Sequence, residues 1–504
     1  MGWFAPLMLT LQLMVASVTI AAIIGIVGAW AGSSLQAGGI WSRRLAALFF
    51  AAMLTAAVIP MILHAAAWEA TAGKFGWWML TQTGSRTDET GVYGFFAGLF
   101  ASAWIHGIVG AALVVIATWS GLNRVSPSLV AQSRLDYGPL GAFAKVHFPI
   151  AAPWWIAALV ATAVIAATEM TVVDLYGYRT IADQFYLFFA MDPTIGSVMI
   201  TCIVPLTIAA IFMVYALVSR RRLDVGRFRT IEETIDVEPL PAAGIAIAAL
   251  AAICVMATVV AVPLTGLIIK SGQAVSVVGD NVVLRWSLSL MLTRLIDAPV
   301  VFASEYQWTA ILGALTATVS VFVAWPVAAW TRTRSGALMF ADAISIAMVC
   351  VPGPIVGLVV VYGFQLDFPI MRTLYQQTLL PTVVALMMRS VPVAYWVLRS
   401  GYRGVDQTIF DAASMEMGWL KRGWSIDRPL LVRPMIAAWI GTAVVSSGDV
   451  PAMLPVIPAG VSTVGVRLFG LLHSGARYQE SSLAIIYVLA VVLIALACFR
   501  RNHR

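Results

Sequence analysis

Long apolar stretches recur from one end of the chain to the other, parted by polar segments. They lie near 8–31, 45–68, 93–118, 154–173, 195–218, 243–269, 308–330, 338–363, 375–398, 435–453 and 482–499. A helix needs roughly 20 residues to cross a hydrocarbon core of about 30 Å, so the pattern predicts an all-α, polytopic transmembrane helical bundle of about 11 spans. Pro60, Pro352 and Pro354 fall inside or beside these stretches and predict kinks, which membrane helices tolerate where neighbours satisfy the freed backbone groups. The first stretch reads as a retained helix: it lacks a basic flank and exceeds the apolar core of a signal sequence.

Composition narrows the class. Of 504 residues 61% are apolar and 11% charged, against roughly 25% charged in a soluble domain, which excludes a soluble enzyme. Lys and Arg gather on alternate connections: Arg43/Arg44, Arg124/Arg134/Lys145, Arg220 to Arg229, Arg332/Arg334, Arg399 to Arg433 and Arg500 to Arg504. Cytoplasmic loops carry that excess, so the N-terminus is expected outside and the C-terminus in the cytoplasm, in a bacterial inner membrane. The net charge of +7 is then a topology signal, and no nucleic-acid partner is expected. Cys202, Cys254, Cys350 and Cys498 lie inside spans without C-x-x-C spacing and read as small buried hydrophobes.

One spacing recurs. At an offset of 280 residues Ser120-Gly121 matches Ser400-Gly401, Gly138 matches Gly418, Leu140 matches Leu420, Pro149 matches Pro429, and Glu169 stands opposite Asp449. Alanine and valine matches arise by chance in apolar helices, but Gly and Pro carry backbone meaning and point to duplication into parallel repeats. The division is a first repeat at 1–222 with about five spans and a polar loop at 121–153, a linker at 223–241 bearing Glu232, Glu233, Asp236 and Glu238, and a second repeat at 242–504 with about six spans and a loop at 401–434. The segment 243–307 has no counterpart in the first half and reads as one helix followed by an outside loop.

The repeated loops are long for helix connections, which usually take roughly 2 to 8 residues. Each reads as a short amphipathic helix, a glycine that breaks it, a basic and aromatic segment, and a proline entering the next span. In this pattern Leu129, Leu135, Ile409, Met415 and Met417 can offer apolar contact to a partner, Asp136 and Glu416 can pair with its cations, and Ala412 and Ala413 permit close approach. A helix resting on lipid headgroups would explain one such loop, and two matched copies weigh against it.

The second loop, with Asp411-Ala412-Ala413, Gly418, Leu420 and Pro429, resembles the E-A-A-x-x-x-G motif of ATP-binding cassette (ABC) importer permeases. It departs from that motif in Asp for Glu, one extra residue before the glycine and a glycine-to-proline distance shorter by two, and the first copy is more degenerate, with Ala131-Gln132-Ser133. The resemblance implies a two-repeat type I importer permease, most similar to the fused permeases of ferric-iron and thiamine importers. It further implies that Asp136, Gly138, Leu140, Pro149, Asp411, Ala412, Ala413, Glu416, Gly418, Leu420 and Pro429 couple to a cytoplasmic ABC ATPase dimer, and that a periplasmic substrate-binding protein delivers the cargo, ferric iron or alternatively thiamine or another small solute. ATP and Mg would sit on the ATPase, leaving this chain without cofactor or catalytic residue. No G-x-x-x-x-G-K-[ST] loop and no G-x-S-x-G elbow occur, and His64, His106, His147, His473 and His503 show no metal-binding spacing.

Ionisable groups deep in a span usually face a cavity or a partner. Glu169, Asp449 and Arg389 are the candidates for a translocation pathway. The two acids either face each other across that pathway or sit hydrated at the outer interface, and Arg389 either caps a helix or meets an anionic substrate. An ion-coupled secondary carrier using Glu169 and Asp449 is the alternative from another class.

Overall fold

Helix boundaries follow the apolar stretches, and Pro60 and Pro352 mark two of the places where those stretches break. The computed structural model describes residues 4–73, 97–189, 241–278, 281–365, 368–474 and 477–500, with isolated positions between 207 and 215. The span expected near 195–218 and the linker lie, but for those positions and Pro241, outside the described residues. Two compact units result, which do not follow the sequence halves: one comprises Met1–Gln184, Ile211–Asp297 and Leu471–Ile486, the other Phe185–Ala210, Ala298–Gly470 and Tyr487–Arg504.

In the first unit α1 (Phe4–Gln36) is followed by α2 (Ile40–Val58) and α3 (Met61–Ala72), which Pro60 separates, and then by α4 (Gly98–Leu122). The loop helix α5 (Pro127–Ala142) leads through a π turn, Phe143–His147, into α6 (Phe148–Thr168) and the short α7 (Thr171–Leu175). Helix α8 (Ala242–Gly272) passes through a second π turn, Ala257–Ala261. Helices α1, α4 and α6 pack on one another, while α8 runs along α1 and α2 and ends against α3. Phe50 stacks on Trp119 with centroids 4.2 Å apart in the core between them. The approach of α4 to α6 depends on Gly110, where a Cβ would stand 2.4 Å from the Thr162 methyl. Gly110→Val is therefore expected to cost about 1–3 kcal/mol by overpacking, read as a lower melting temperature in detergent.

The segment after α8 corrects the expectation of an outside loop. Gln273–Val278 (β1) and Asn281–Trp286 (β2) pair antiparallel, Gln273 opposite Trp286 and Val278 opposite Asn281, and α9 (Leu288–Val301) follows. Val-rich β-branched sequence on both sides of Gly279-Asp280 favours a hairpin over a helix, so the fold carries one small sheet among its helices.

The second unit is built on α10 (Ala303–Thr331), the pair α11 (Ser335–Cys350) and α12 (Gly353–Phe364), and α13 (Leu380–Arg403). Its loop holds α14 (Gln407–Glu416), α15 (Trp419–Arg422) and a π turn, Gly423–Asp427, before α16 (Arg428–Ser447) and the short α17 (Val450–Met453). Helices α10, α13 and α16 pack on one another around Ala324, Tyr395, Leu398 and Leu431. At Pro352 the α11–α12 pair bends by 101°. The last helix, α18, runs Arg477–Arg500.

Among the described residues eight helices are long and apolar enough to cross a membrane, or nine if the bent pair is one span. The chain is a multi-pass membrane protein, all-α among the described residues apart from the hairpin. Where described, every expected stretch except 195–218 falls on a helix or on helices parted by a short break. Two helices end earlier than expected: α6 stops at Thr168 and α16 at Ser447, and the acids Glu169 and Asp449 stand at the breaks. Cys254 is exposed where burial was expected, whereas Cys350 is buried.

Candidate functional site: two loops and two buried carboxylates

Each loop helix starts on a side-chain cap. Ser126 accepts a hydrogen bond from the Leu129 N–H at 3.4 Å, and Asp406 accepts from the Thr408 N–H at 3.0 Å, satisfying a donor that a helix start leaves open. That bond holds the Asp406 carboxyl below its ordinary value. Both loops then reach a π turn whose following residue donates five positions back: Phe148 N–H to the Phe143 carbonyl, and Arg428 N–H to the Gly423 carbonyl. Pro149 and Pro429 are the cause, because proline has no N–H and its ring crowds the carbonyl four residues earlier. Pro263 stands in the same relation to the π turn of α8. The motif proline of each loop thus widens one helical turn where the loop enters its span.

The 280-residue offset reappears in these elements. Residues 127–142 and 407–422 form the loop helices, 143–147 and 423–427 the π turns, and 148 and 428 begin the next helix. Burial follows the same register. Ser133 and Ala413 both face inward, while Leu135 and Met415 are 82% and 89% exposed and Leu140 and Leu420 are 68% and 67% exposed. Asp136, Asp411, Ala412 and Glu416 are exposed beside them, and Trp419 and Trp424 enlarge the apolar face of the second loop. Of the two motif alanines, then, Ala412 looks outward and Ala413 inward.

The two loops are anchored differently. Ser133 bonds His147 at 3.0 Å in the first. In the second, Phe410 is fully buried, with the Arg332 guanidinium 4.5 Å from its ring centroid and 3.7 Å from Asp411. Buried Asp427 accepts from Tyr402 Oη at 2.9 Å and lies 3.3 Å from Arg422 Nε, and the Arg422 guanidinium also donates to Ser414. The glycines differ as well: Gly138 has φ +69°, whereas Gly418 has φ −64°, a conformation open to any residue. Gly138→Ala is expected to cost about 1–3 kcal/mol, because φ +69° with ψ 173° is a backbone region kept almost entirely for glycine, whereas Gly418→Ala, whose Cβ would meet open space, leaves the melting temperature unchanged.

The carboxylates at the helix breaks are buried, each within its own unit and each beside a basic side chain of the span preceding the loop. Glu169 accepts from the Thr171 and Val172 N–H groups at 2.7 and 3.0 Å and from the Thr171 hydroxyl, so it caps α7, and His106 Nε2 of α4 lies 3.5 Å away. Asp449 lies 3.6 Å from the Arg389 guanidinium of α13 and begins α17. In the offset register Arg389 stands three residues, about one helical turn, beyond His106. His106 shows no metal spacing, yet a histidine in the middle of an apolar span is itself the signal of an intramembrane partner. Lys270 carries no such signal, since it ends an apolar stretch beside a polar gap, yet it is buried in an ion pair with Glu480 of α18.

No known family model matches the chain, and no curated protein is significantly similar to it.

Proposed function

We propose that the chain is the transmembrane subunit of an ABC importer, a duplicated permease whose loops 126–149 and 406–429 receive a separate ATPase dimer. One observation carries the reading: two loops 280 residues apart share caps, π turns and burial register, and each holds two large apolar side chains outward. A loop that only had to join two spans has no reason to expose Leu135, Leu140, Met415 and Leu420, whereas a docking helix buries such a face. The differences in anchoring fit unequal coupling, with the second loop braced by Arg332, Arg422 and Asp427. Eleven spans, with the N-terminus outside and the basic connections in the cytoplasm of a bacterial inner membrane, place both loops on the ATPase side.

Ferric iron is the cargo the resemblance implies, with thiamine as the alternative, and a periplasmic binding protein would deliver it. Duplication is supported by a second register too: the 12-residue helices Met61–Ala72 and Gly353–Phe364 each follow a helix-breaking proline, Pro60 and Pro352. The carrier reading draws less support, because Glu169 is engaged by backbone donors and His106, which suits a fixed structural carboxylate better than one that must exchange ions.

Affinity purification of the full chain from its native membrane tests the proposal. A nucleotide-binding chain with a phosphate loop is expected to co-purify and to be lost from the Leu135→Glu/Met415→Glu variant. Recovery of the chain without such a subunit, under conditions that keep it folded, overturns the reading.

A further inference from the structure

A cavity of about 850 Å³ opens in the first unit where α1 and α4 end and α5 and α8 begin. Its size is that of an organic ligand site, for which roughly 300–1,000 Å³ is usual. The lining sets three basic side chains, Arg43, Arg134 and His147, beside Asn123 and the apolar walls of Trp30 and Ile247. Among the described residues that line it there is no Asp or Glu. Arg43 is held by its Nε donating to the Gly38 carbonyl at 3.0 Å, and Arg134 is only partly exposed. Burial lowers the affinity of Arg134 for its proton, and burial followed by the Arg134 charge lowers that of His147, as expected of basic groups gathered in one partly dry space. The start of α8 at Pro241 and Gly244 also faces the cavity, adding the positive end of a helix dipole.

From this juxtaposition we infer that the cavity binds a phosphate group on an organic body: arginine forks meet its oxygens, and Trp30 and Ile247 contact its apolar part. The phosphate can come from an anionic phospholipid of the cytoplasmic leaflet, which basic pockets at helix ends take up, or from a soluble phosphate compound. The inference does not depend on whether an ATPase docks on the loops.

The test uses the full chain in nanodiscs. In one arm, native mass spectrometry counts phosphatidylglycerol retained against a phosphatidylcholine background. In the other, calorimetry follows inorganic phosphate added to protein in phosphatidylcholine alone. Retention in the first arm identifies a lipid source, and saturable heat in the second a soluble one. Either is expected to weaken at least tenfold in Arg43→Gln/Arg134→Gln and to survive in Arg134→Lys, which keeps the charge. Arg428→Gln, a basic residue outside the cavity, is expected to change binding by less than twofold. Failure of the native chain to bind in both arms overturns the inference, as does binding that the double variant leaves intact while its melting temperature is unchanged.

Discussion

Lys270→Met is expected to be among the most destabilising single substitutions in the protein, at about 3–5 kcal/mol, because it strands the Glu480 carboxylate without its counter-charge. Lys270 and Glu480 are 3% and 2% exposed and meet in one unit, where the end of α8 joins the start of α18. Taking both charges out of water is costly, so the pair itself contributes little net stability even though breaking it costs much. That asymmetry gives the prediction its internal check: Lys270→Met/Glu480→Leu should regain most of what Lys270→Met loses. The measurement is thermal or denaturant unfolding of purified protein in detergent. A single variant as stable as the parent, or a double variant no better than the single, would show that the pair does not close this part of the unit.

Uncoupling is the second large effect. Met415→Glu is expected to abolish ATP-driven uptake in reconstituted vesicles while leaving insertion and melting temperature unchanged. Met415 is 89% exposed, so no contact within its own unit is lost, and a charge placed there harms only a partner that buries it. Leu135→Glu should act in the same direction with a smaller effect, since the first loop presents a smaller apolar face and a less elaborate brace. Phe410→Ala works by another route: it removes a fully buried ring beneath α14, costs about 3–5 kcal/mol, and should lower the melting temperature. Loss of uptake without loss of stability therefore separates a docking residue from an anchoring one.

Much of this architecture was legible in the chain because it rests on local rules. Apolar stretches gave helices, Pro60 and Pro352 gave breaks, and the matched glycines and prolines gave the 280-residue register that later reappears in caps, π turns and burial. What was not legible depends on tertiary partners. Composition gives no hint that Lys270 turns inward, since its partner lies 210 residues away. The end of α6 escaped because the Glu169 carboxylate bonds the next two N–H groups and stops the helix within apolar sequence, and that of α16 because the backbone leaves helical geometry at Asp449, whose carboxylate lies beside Arg389 of another helix. Gly138 and Gly418 look equivalent in sequence, yet only Gly138 uses the conformational freedom of glycine. The hairpin at 273–286 escaped because its strands flank Gly279-Asp280 within a polar gap between spans, and such a gap reads equally well as a loop.

Site-specific cross-linking tests the central claim most directly. In a background with Cys202, Cys254, Cys350 and Cys498 replaced by serine, Leu135→Cys and Met415→Cys should each cross-link to a phosphate-loop ATPase subunit in native membranes, and Phe410→Cys, facing inward, should not. Absence of that adduct from both exposed positions, or equal labelling of both by a reagent confined to the periplasmic side, would contradict the account.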